Sequence, residues 1–413
     1  MIEVCIVTYQ RPYNIPRLLE QLKQQTIQDF KVNIWNNSGK KLDIDFPDNR
    51  IQIIESDKNI GSCARFKLVL KTKGTPIIFL DDDEIIRDNF IEYCYEHYKK
   101  FGSNCIIGWY AKVWLQESYK KDNHHLQYGE EADYIGTAGM VIDREIFDKE
   151  LLLQNIPEPF KNVEDLYLCY LARMKHGMKM IKIDSPSRTI IDGKDQWRKI
   201  DKKELFKKLR GMGWLLLKDG LDRIQTFRNL IDFKKVMDKL EIPFILWEGV
   251  LLGAYRDNDF TKEDTRDIDF AIEESFVNRI PEIMEELKKE EFIIPRNYFK
   301  PLGKIESVHL KREGSVIDLD IIHKKNNDIY RLVINKAKDQ TKDYATFVFP
   351  RHCFEGTEKI NFKGIELSIP KEPELYLESR YGKDWRIPLS KKEWIKRKWN
   401  PELNLSLKLN YQI

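Results

Sequence analysis

Close cysteine pairs are missing from this chain. Its six cysteines stand far apart, at positions 5, 63, 94, 105, 169 and 353, with no CxxC and no Cys/His cluster. That spacing excludes a zinc knuckle and a redox dithiol. In apolar surroundings such cysteines read as small buried hydrophobes in a reducing compartment. An excess of charge of one sign is missing too: 70 Lys+Arg face 67 Asp+Glu, a net charge of +3. This balance does not mark a nucleic-acid protein, and no nucleic-acid module or basic-aromatic platform points to one. No apolar run is long enough to cross a bilayer. The opening Ile2-Glu3-Val4-Cys5-Ile6-Val7 reads as a strand, not a secretory leader. The expected location is the cytoplasm, with peripheral association at the inner face of the plasma membrane where the acceptor is membrane-bound.

What is present is a folded composition, 42% apolar and 33% charged, over 413 residues. That length exceeds one hydrophobic core, so two domains are expected. The division reads as 1–200, a helical connecting segment 201–228, and 229–413. Residues 193–212 are rich in Lys and Arg, interrupted by Trp197, Leu205, Phe206 and Leu209. They read as helices that fasten the domains, with the lysines solvated, in preference to a membrane-surface segment.

In the first part, apolar strands are expected at 2–8, 31–35, 51–54 and 76–80, with helices at 14–24 and 62–71. The alternation predicts a mainly parallel α/β sheet with its ligand crevice beyond the carboxyl ends of the strands. Polar residues collect there. Thr8 and Arg11 follow the first strand, Asn36 the second, Asp57 and Asn59 the third, and Arg65 lies on the helix after it. These, with Asp82, are the expected donor-binding residues.

Asp81-Asp82-Asp83-Glu84 directly follows the fourth strand. Adjacent acids repel one another and need a compensating charge. A divalent cation, Mg2+ or Mn2+, supplies it and can neutralise a diphosphate leaving group. Asp81 and Asp83 are the expected metal residues, with Asp83 the direct ligand. Small residues at Gly136-Thr137-Ala138-Gly139 permit either close approach of a sugar or tight packing. Glu164 and Asp165 open an apolar helix; one acid suits the helix end, and a second can take the proton of an acceptor hydroxyl.

Together these segments resemble the GT-A fold of the family 2 glycosyltransferases. The resemblance is carried by Ile6-Val7-Thr8-Tyr9-Gln10-Arg11-Pro12, Asn59-Ile60-Gly61-Ser62-Cys63-Ala64-Arg65, Phe79-Leu80-Asp81-Asp82-Asp83, Gly136-Thr137-Ala138-Gly139 and Glu164-Asp165. It implies inverting, metal-dependent transfer from a nucleotide-sugar to a glycan or lipid-linked glycan. Asp165 is then the base, with Glu164 the near alternative. The sequence departs from the family at Asn36, where an Asp often stands.

In the second part, Ile231, Phe233, Val236, Met237 and Leu240 mark one face of a helix. Gly249 and Gly253 sit four apart beside an apolar segment, which allows backbone to approach a phosphate or helices to pack closely. Asp267 and Asp269, one residue apart on an expected strand, share a face. A second strand, 316–322, offers Asp318 and Asp320 on one face. Three such carboxylates make a divalent-metal site.

This half resembles the LicD-like and fukutin-related branch of the α+β nucleotidyltransferase fold. The match lies in Gly249, Leu252-Gly253, Arg256, Phe260, Asp267-Ile268-Asp269 and the late Tyr381-Gly382-Lys383-Asp384-Trp385-Arg386-Ile387-Pro388. It implies transfer of a phospho-alcohol (phosphocholine, ribitol phosphate or glycerol phosphate) from a CDP-linked donor to a glycan hydroxyl. Asp267 and Asp269 would bind metal with Asp318 or Asp320 as the third acid, Asp320 slightly preferred. The acid cluster would also assist deprotonation of the hydroxyl. Gly253 would approach the donor phosphate, Gly249 lies in the same stretch, and Arg256 would neutralise the phosphate. Glu263-Asp264-Thr265-Arg266 replaces the family's Trp-Asp-Asp run, which leaves the alcohol open and makes Arg266 either an outward salt-bridge residue or a donor contact. The alternative reading has one catalytic domain and one that positions the glycan acceptor.

Overall fold

Ile2–Thr8 forms strand β1, apolar along most of its length and buried on both faces, as a strand inside a parallel sheet must be. A computed structural model describes residues 1–42, 44, 48–120, 122–123, 125–194, 200–262, 265–294, 299–300, 303–334 and 344–408. Trp197 and the Glu263-Asp264 pair lie outside the described residues. The chain divides into two units, Met1–Asp219 and Gly220–Ile413.

In the first unit, β1 is followed by α1 (Ile15–Lys23), β2 (Phe30–Asn36), β3 (Ile51–Glu55), α2 (Ala64–Val69) and β4 (Ile77–Asp81). Ile15, Leu18, Leu19 and Leu22 recur at helical spacing and are the buried face of α1. β1 runs parallel to β2 and β4, and β2 parallel to β3. Their carboxyl ends therefore share one edge, which carries Thr8, Asn36 and Asp81. Next come β5 (Glu84–Ile86), α3 (Phe90–Phe101), β6 (Cys105–Gly108), β7 (Val141–Ile142), α4 (Glu164–His176), β8 (Lys179–Lys182), β9 (Ser187–Thr189) and α5 (Lys202–Gly211). The seven-stranded sheet has the order β8-β6-β7-β4-β1-β2-β3. It is mixed, because β7 is antiparallel to both β4 and β6. Phe206 of α5 packs against Trp114 and Trp214, so residues 201–219 belong to this unit's core.

Gly139 sits where the chain enters β7. Its φ is +76°, and a Cβ there would lie 1.7 Å from Trp109. Gly136 likewise seats Tyr110, with an added Cβ at 2.7 Å from that ring. Of the two readings of this small-residue segment, packing is the one observed. Gly139→Ala is expected to destabilise the first unit by about 2–5 kcal/mol, from backbone strain plus overpacking; urea unfolding followed by tryptophan fluorescence measures it.

The second unit opens with α6 (Leu221–Lys239), which includes residues 221–228 as its first two turns. β10 (Ile245–Leu246), α7 (Glu248–Asp257), β11 (Asp267–Glu273), α8 (Ile280–Lys289), β12 (Ser307–Arg312), β13 (Ser315–Lys325), β14 (Asp328–Ile334) and β15 (Tyr344–Pro350) follow. β16 (Thr357–Phe362), β17 (Ile365–Pro370), α9 (Pro373–Tyr381), α10 (Lys391–Lys398) and β18 (Leu407–Lys408) complete it. The main sheet runs β10-β11-β13-β14-β15-β18, with β12 paired to β13. β11 and β13 are parallel, with Asp269 opposite Asp318 and Ala271 opposite Asp320. Ile268, Phe270, Ile317 and Leu319 point into the core, so the alternating acids emerge together on the other face.

Candidate functional site

Each unit carries its own group of charged residues. In the first, β4 ends at Asp81 and turns through Asp82 and Asp83 into β5. Asp82 accepts the Thr8 hydroxyl at 2.7 Å. Arg11 approaches Asp82 at 3.7 Å and Asp83 at 3.4 Å, while its Nε and a terminal nitrogen hold Asp192 at 2.8 and 2.6 Å. Burial pushes the Asp83 carboxyl up to about 7, with Asp81's charge adding to it, and the same burial raises Asp82 to about 6.

Arg65 joins this turn to the later acid pair. Its guanidinium is 3.0 Å from Asp81 and 3.0 Å from Glu164. Glu164 is buried, accepts the Ser62 hydroxyl, and is raised by burial despite Arg65. Asp165 is only half-buried and accepts the Tyr134 hydroxyl. Burial and Asp165's charge push Tyr134 well up, which keeps it a proton donor in that bond.

Arg11 and Arg65 supply part of the positive charge that faces the triplet. Asn36 is fully buried and its amide is used internally: it donates to the Lys40 carbonyl and Glu55 and accepts from the Ser38 amide. It shapes the turn after β2. Asp57 and Asn59 are exposed on the loop after β3, where Asn59 accepts the Gly61 amide.

In the second unit, one carboxylate oxygen each from Asp267, Asp269 and Asp318 lies within 4.8 Å of the others. Among the described residues this is the only such group of three. α7 points its first turn at it, and the Gly249 amide donates to Asp269 at 3.2 Å. Burial, then the charge of Asp267, drives the Asp269 carboxyl well above its ordinary value. His309, opposite Asp318 on β12, bonds it through Nδ1 at 2.6 Å.

Of the two candidate third acids, Asp318 is the one that lies within reach of the pair. Asp320 shares its face but lies across from Ala271, is buried, and pairs with Arg331. Gly253 has a packing reason in the structure. A Cβ there would lie 2.4 Å from the Asp259 carbonyl and 2.8 Å from the Thr261 amide, so its bareness lets a loop cross the helix. Arg256 spends its guanidinium on Asp257 and, at 3.3 Å, the Trp385 carbonyl. That contact fastens the late Tyr-Gly-Lys-Asp-Trp segment to α7. Arg266 is an outward salt bridge to Asp222 at 2.6 Å.

Residues 3–147 match the model of glycosyl transferase family 2, and residues 241–372 match the LicD/FKTN/FKRP nucleotidyltransferase domain. The chain joins a family 2 glycosyltransferase domain to a LicD-like nucleotidyltransferase domain. Over 168 residues it is 24% identical to ribitol-5-phosphate transferase FKTN of Macaca fascicularis, covering 39% of this chain and 33% of that protein. Over 95 residues it is 32% identical to the uncharacterized glycosyltransferase YwdF of Bacillus subtilis, covering 22% and 35%. With glycosyltransferase GlyG of Streptococcus pneumoniae the identity is 26% over 118 residues, covering 27% and 39%. The chain thus spans about a third of the length of these relatives.

Sequence reasoning missed several residues of the two domains. In the LicD-like domain these are His309, Glu248 and Arg331. Arg331 had a signal, since it is a lone charge inside the apolar run Ile329-Tyr330-Arg331-Leu332-Val333. His309 had none, because only the β12–β13 register brings it to Asp318. In the glycosyltransferase domain Asp192 was missed for the same reason, being 181 residues from Arg11. No helix among the described residues is long and apolar enough to cross a membrane.

Proposed function

We propose that the chain is a two-site enzyme of glycan assembly. The first site moves a sugar, with inversion, from a nucleotide-sugar to a glycan or lipid-linked glycan hydroxyl; the second moves a phospho-alcohol from a CDP-linked donor. The three-carboxylate group carries the reading. Asp267, Asp269 and Asp318 are an all-oxygen donor set of convergent charge, which fits a hard cation such as Mg2+ or Mn2+. A cation held there would offset charge on a donor phosphate. The chain's own residues do the rest. Gly249 orients Asp269, His309 orients Asp318, and the acids draw the proton from an acceptor hydroxyl.

In the glycosyltransferase domain, Asp83 is the proposed metal residue, with Asp81 at its edge. A diphosphate brings its own oxygens, so one carboxylate is enough to share the ion. Arg11 and Thr8 stand at the same turn to meet the donor. Asp165 takes the acceptor proton, steadied by Tyr134, while Arg65 and Glu164 fix the start of α4.

A donor screen tests both halves. The intact protein is given nucleotide sugars and CDP-alcohols with Mg2+ or Mn2+, and released nucleotide is read. At least one donor of each class should turn over. Asp83→Ala should cut sugar transfer by about a hundredfold or more and leave CDP-alcohol turnover within twofold. Unchanged sugar transfer removes Asp83 from the site.

A further inference from the structure

In the glycosyltransferase domain, Tyr134 and Ile135 pair antiparallel with Lys112 and Ala111. The Gly136 amide continues this ladder by donating to the Tyr110 carbonyl at 2.9 Å, so Tyr110 stands across from Gly136. Tyr134 and Gly136, two residues apart on a strand, share a face, and Tyr110 lies on that same face. The side chains agree with this placement. The Tyr110 and Tyr134 rings meet edge to face, with centroids 6.5 Å apart. A Cβ on Gly136 would lie 2.7 Å from the Tyr110 ring and 3.3 Å from the Tyr134 hydroxyl. Ring and hydroxyl thus flank one bare position, and that hydroxyl is the one Asp165 accepts.

Covering Gly136 accounts for one edge of the Tyr110 ring. It does not account for the 45% of the residue that stays exposed. A single exposed tyrosine is ordinary on a surface, and its place decides what it can do. Tyr13 and Tyr128 are exposed as well, but each is capped by a lysine that bonds its hydroxyl and stands 4.7 Å from its ring centroid. Tyr110 instead stands beside the hydroxyl that holds the proposed base. The ammonium of Lys112, a buried residue, lies 5.7 Å from its centroid and marks the inner side of the ring. An aromatic face carries negative potential, which suits C–H groups and not an anion. A pyranose offers C–H groups on its faces and hydroxyls around its rim. Stacked on Tyr110, it brings that rim to the Asp165 carboxylate. A lipid chain in the same place would leave the carboxylate and the Tyr134 hydroxyl facing hydrocarbon.

We propose that Tyr110 is the acceptor platform of the glycosyltransferase domain, the ring on which the sugar that receives the transfer stacks. The turning of one of its hydroxyls toward Asp165 rests on the reading of Asp165 as base; the stacking does not.

Saturation-transfer NMR on the intact chain tests this, with the methyl glycosides of glucose, galactose, mannose and N-acetylglucosamine as probes. The parent is expected to bind at least one of them through its ring C–H protons. Tyr110→Leu and Tyr110→Met both keep an apolar cover on Gly136 and remove the aromatic face, and the variant that melts with the parent is the one read. It should bind that glycoside about tenfold more weakly. Tyr110→Phe should stay within about threefold of the parent. Parental binding in the aliphatic variant overturns the platform, and so does a parent that binds none of the four. An equal loss in Tyr110→Phe, or a lowered melt in both aliphatic variants, makes the ring structural and overturns it too. Asp165→Asn separates the two readings. If it transfers sugar at the parental rate while the aliphatic variant still loses the glycoside, the base falls and the platform stands. If it is slow while the aliphatic variant binds like the parent, the platform falls and the base stands.

Discussion

Asp269→Asn is expected to lower CDP-donor turnover by about 10³-fold, the rate equivalent of losing several kcal/mol of charge stabilisation. In chelator it should also melt at a higher temperature than the parent. Asp269 is raised well above its ordinary value by burial and by its acidic neighbours. Below about pH 4 it is protonated folded or unfolded and contributes no pH-dependent difference. As pH climbs, the unfolded chain ionises first, so the folded state loses stability until its own higher value is passed. Asparagine has no such loss. Calorimetric melts at pH 5 and pH 8 should show the gap between variant and parent widening with pH. Millimolar Mg2+ should shrink it, because the ion binds the ionised parent acids. A variant that melts below the parent in chelator at pH 8 contradicts the electrostatic account. One that keeps normal turnover contradicts the assignment of the site.

Asp165→Asn is expected to slow sugar transfer by about 10²–10⁴-fold, the usual contribution of a positioned base. Affinity for the nucleotide-sugar should be preserved, because the donor turn at Asp81–Asp83 is fastened to Arg65 and Glu164 and not to Asp165. Tyr134 still has an acceptor in the asparagine carbonyl, so the fold keeps this contact. Stopped-flow donor binding beside steady-state transfer separates the two effects. Near-parental transfer would pass the role of base to Glu164, whose burial and pairing with Arg65 already count against it.

The elements were largely legible because their periods were clean. Strands β1 to β4 are apolar runs closed by polar residues, and β11 and β13 alternate over Asp267–Phe270 and Ile317–Asp320, so Asp267, Asp269, Asp318 and Asp320 could be assigned to faces from spacing alone. Which of the last two acids meets the pair was not legible. Both lie on one face, and the choice depends on β11–β13 register, a long-range property of the fold. Glycine positions were ambiguous for a related reason. Gly139 and Gly253 are demanded by Trp109 and by the Asp259–Thr261 backbone, partners that glycine spacing does not name. Nor does the Asp81–Asp83 run disclose that Arg11 and Arg65, both earlier in the chain, reach it.

The alternation of Asp267 to Phe270 on β11 also governs how this site can be lost. Deleting one residue within 267–273 would exchange the two faces of that strand, turning Ile268 and Phe270 outward and the acids into the core. Activity and folding would fail together. Substitution of an acid by Asn spares the core, so a descendant of this chain that kept the LicD-like domain as a silent binding module would reach that state through point changes at 267, 269 or 318. Strand length between Arg266 and Glu274 would be conserved in such a lineage even after catalysis had gone.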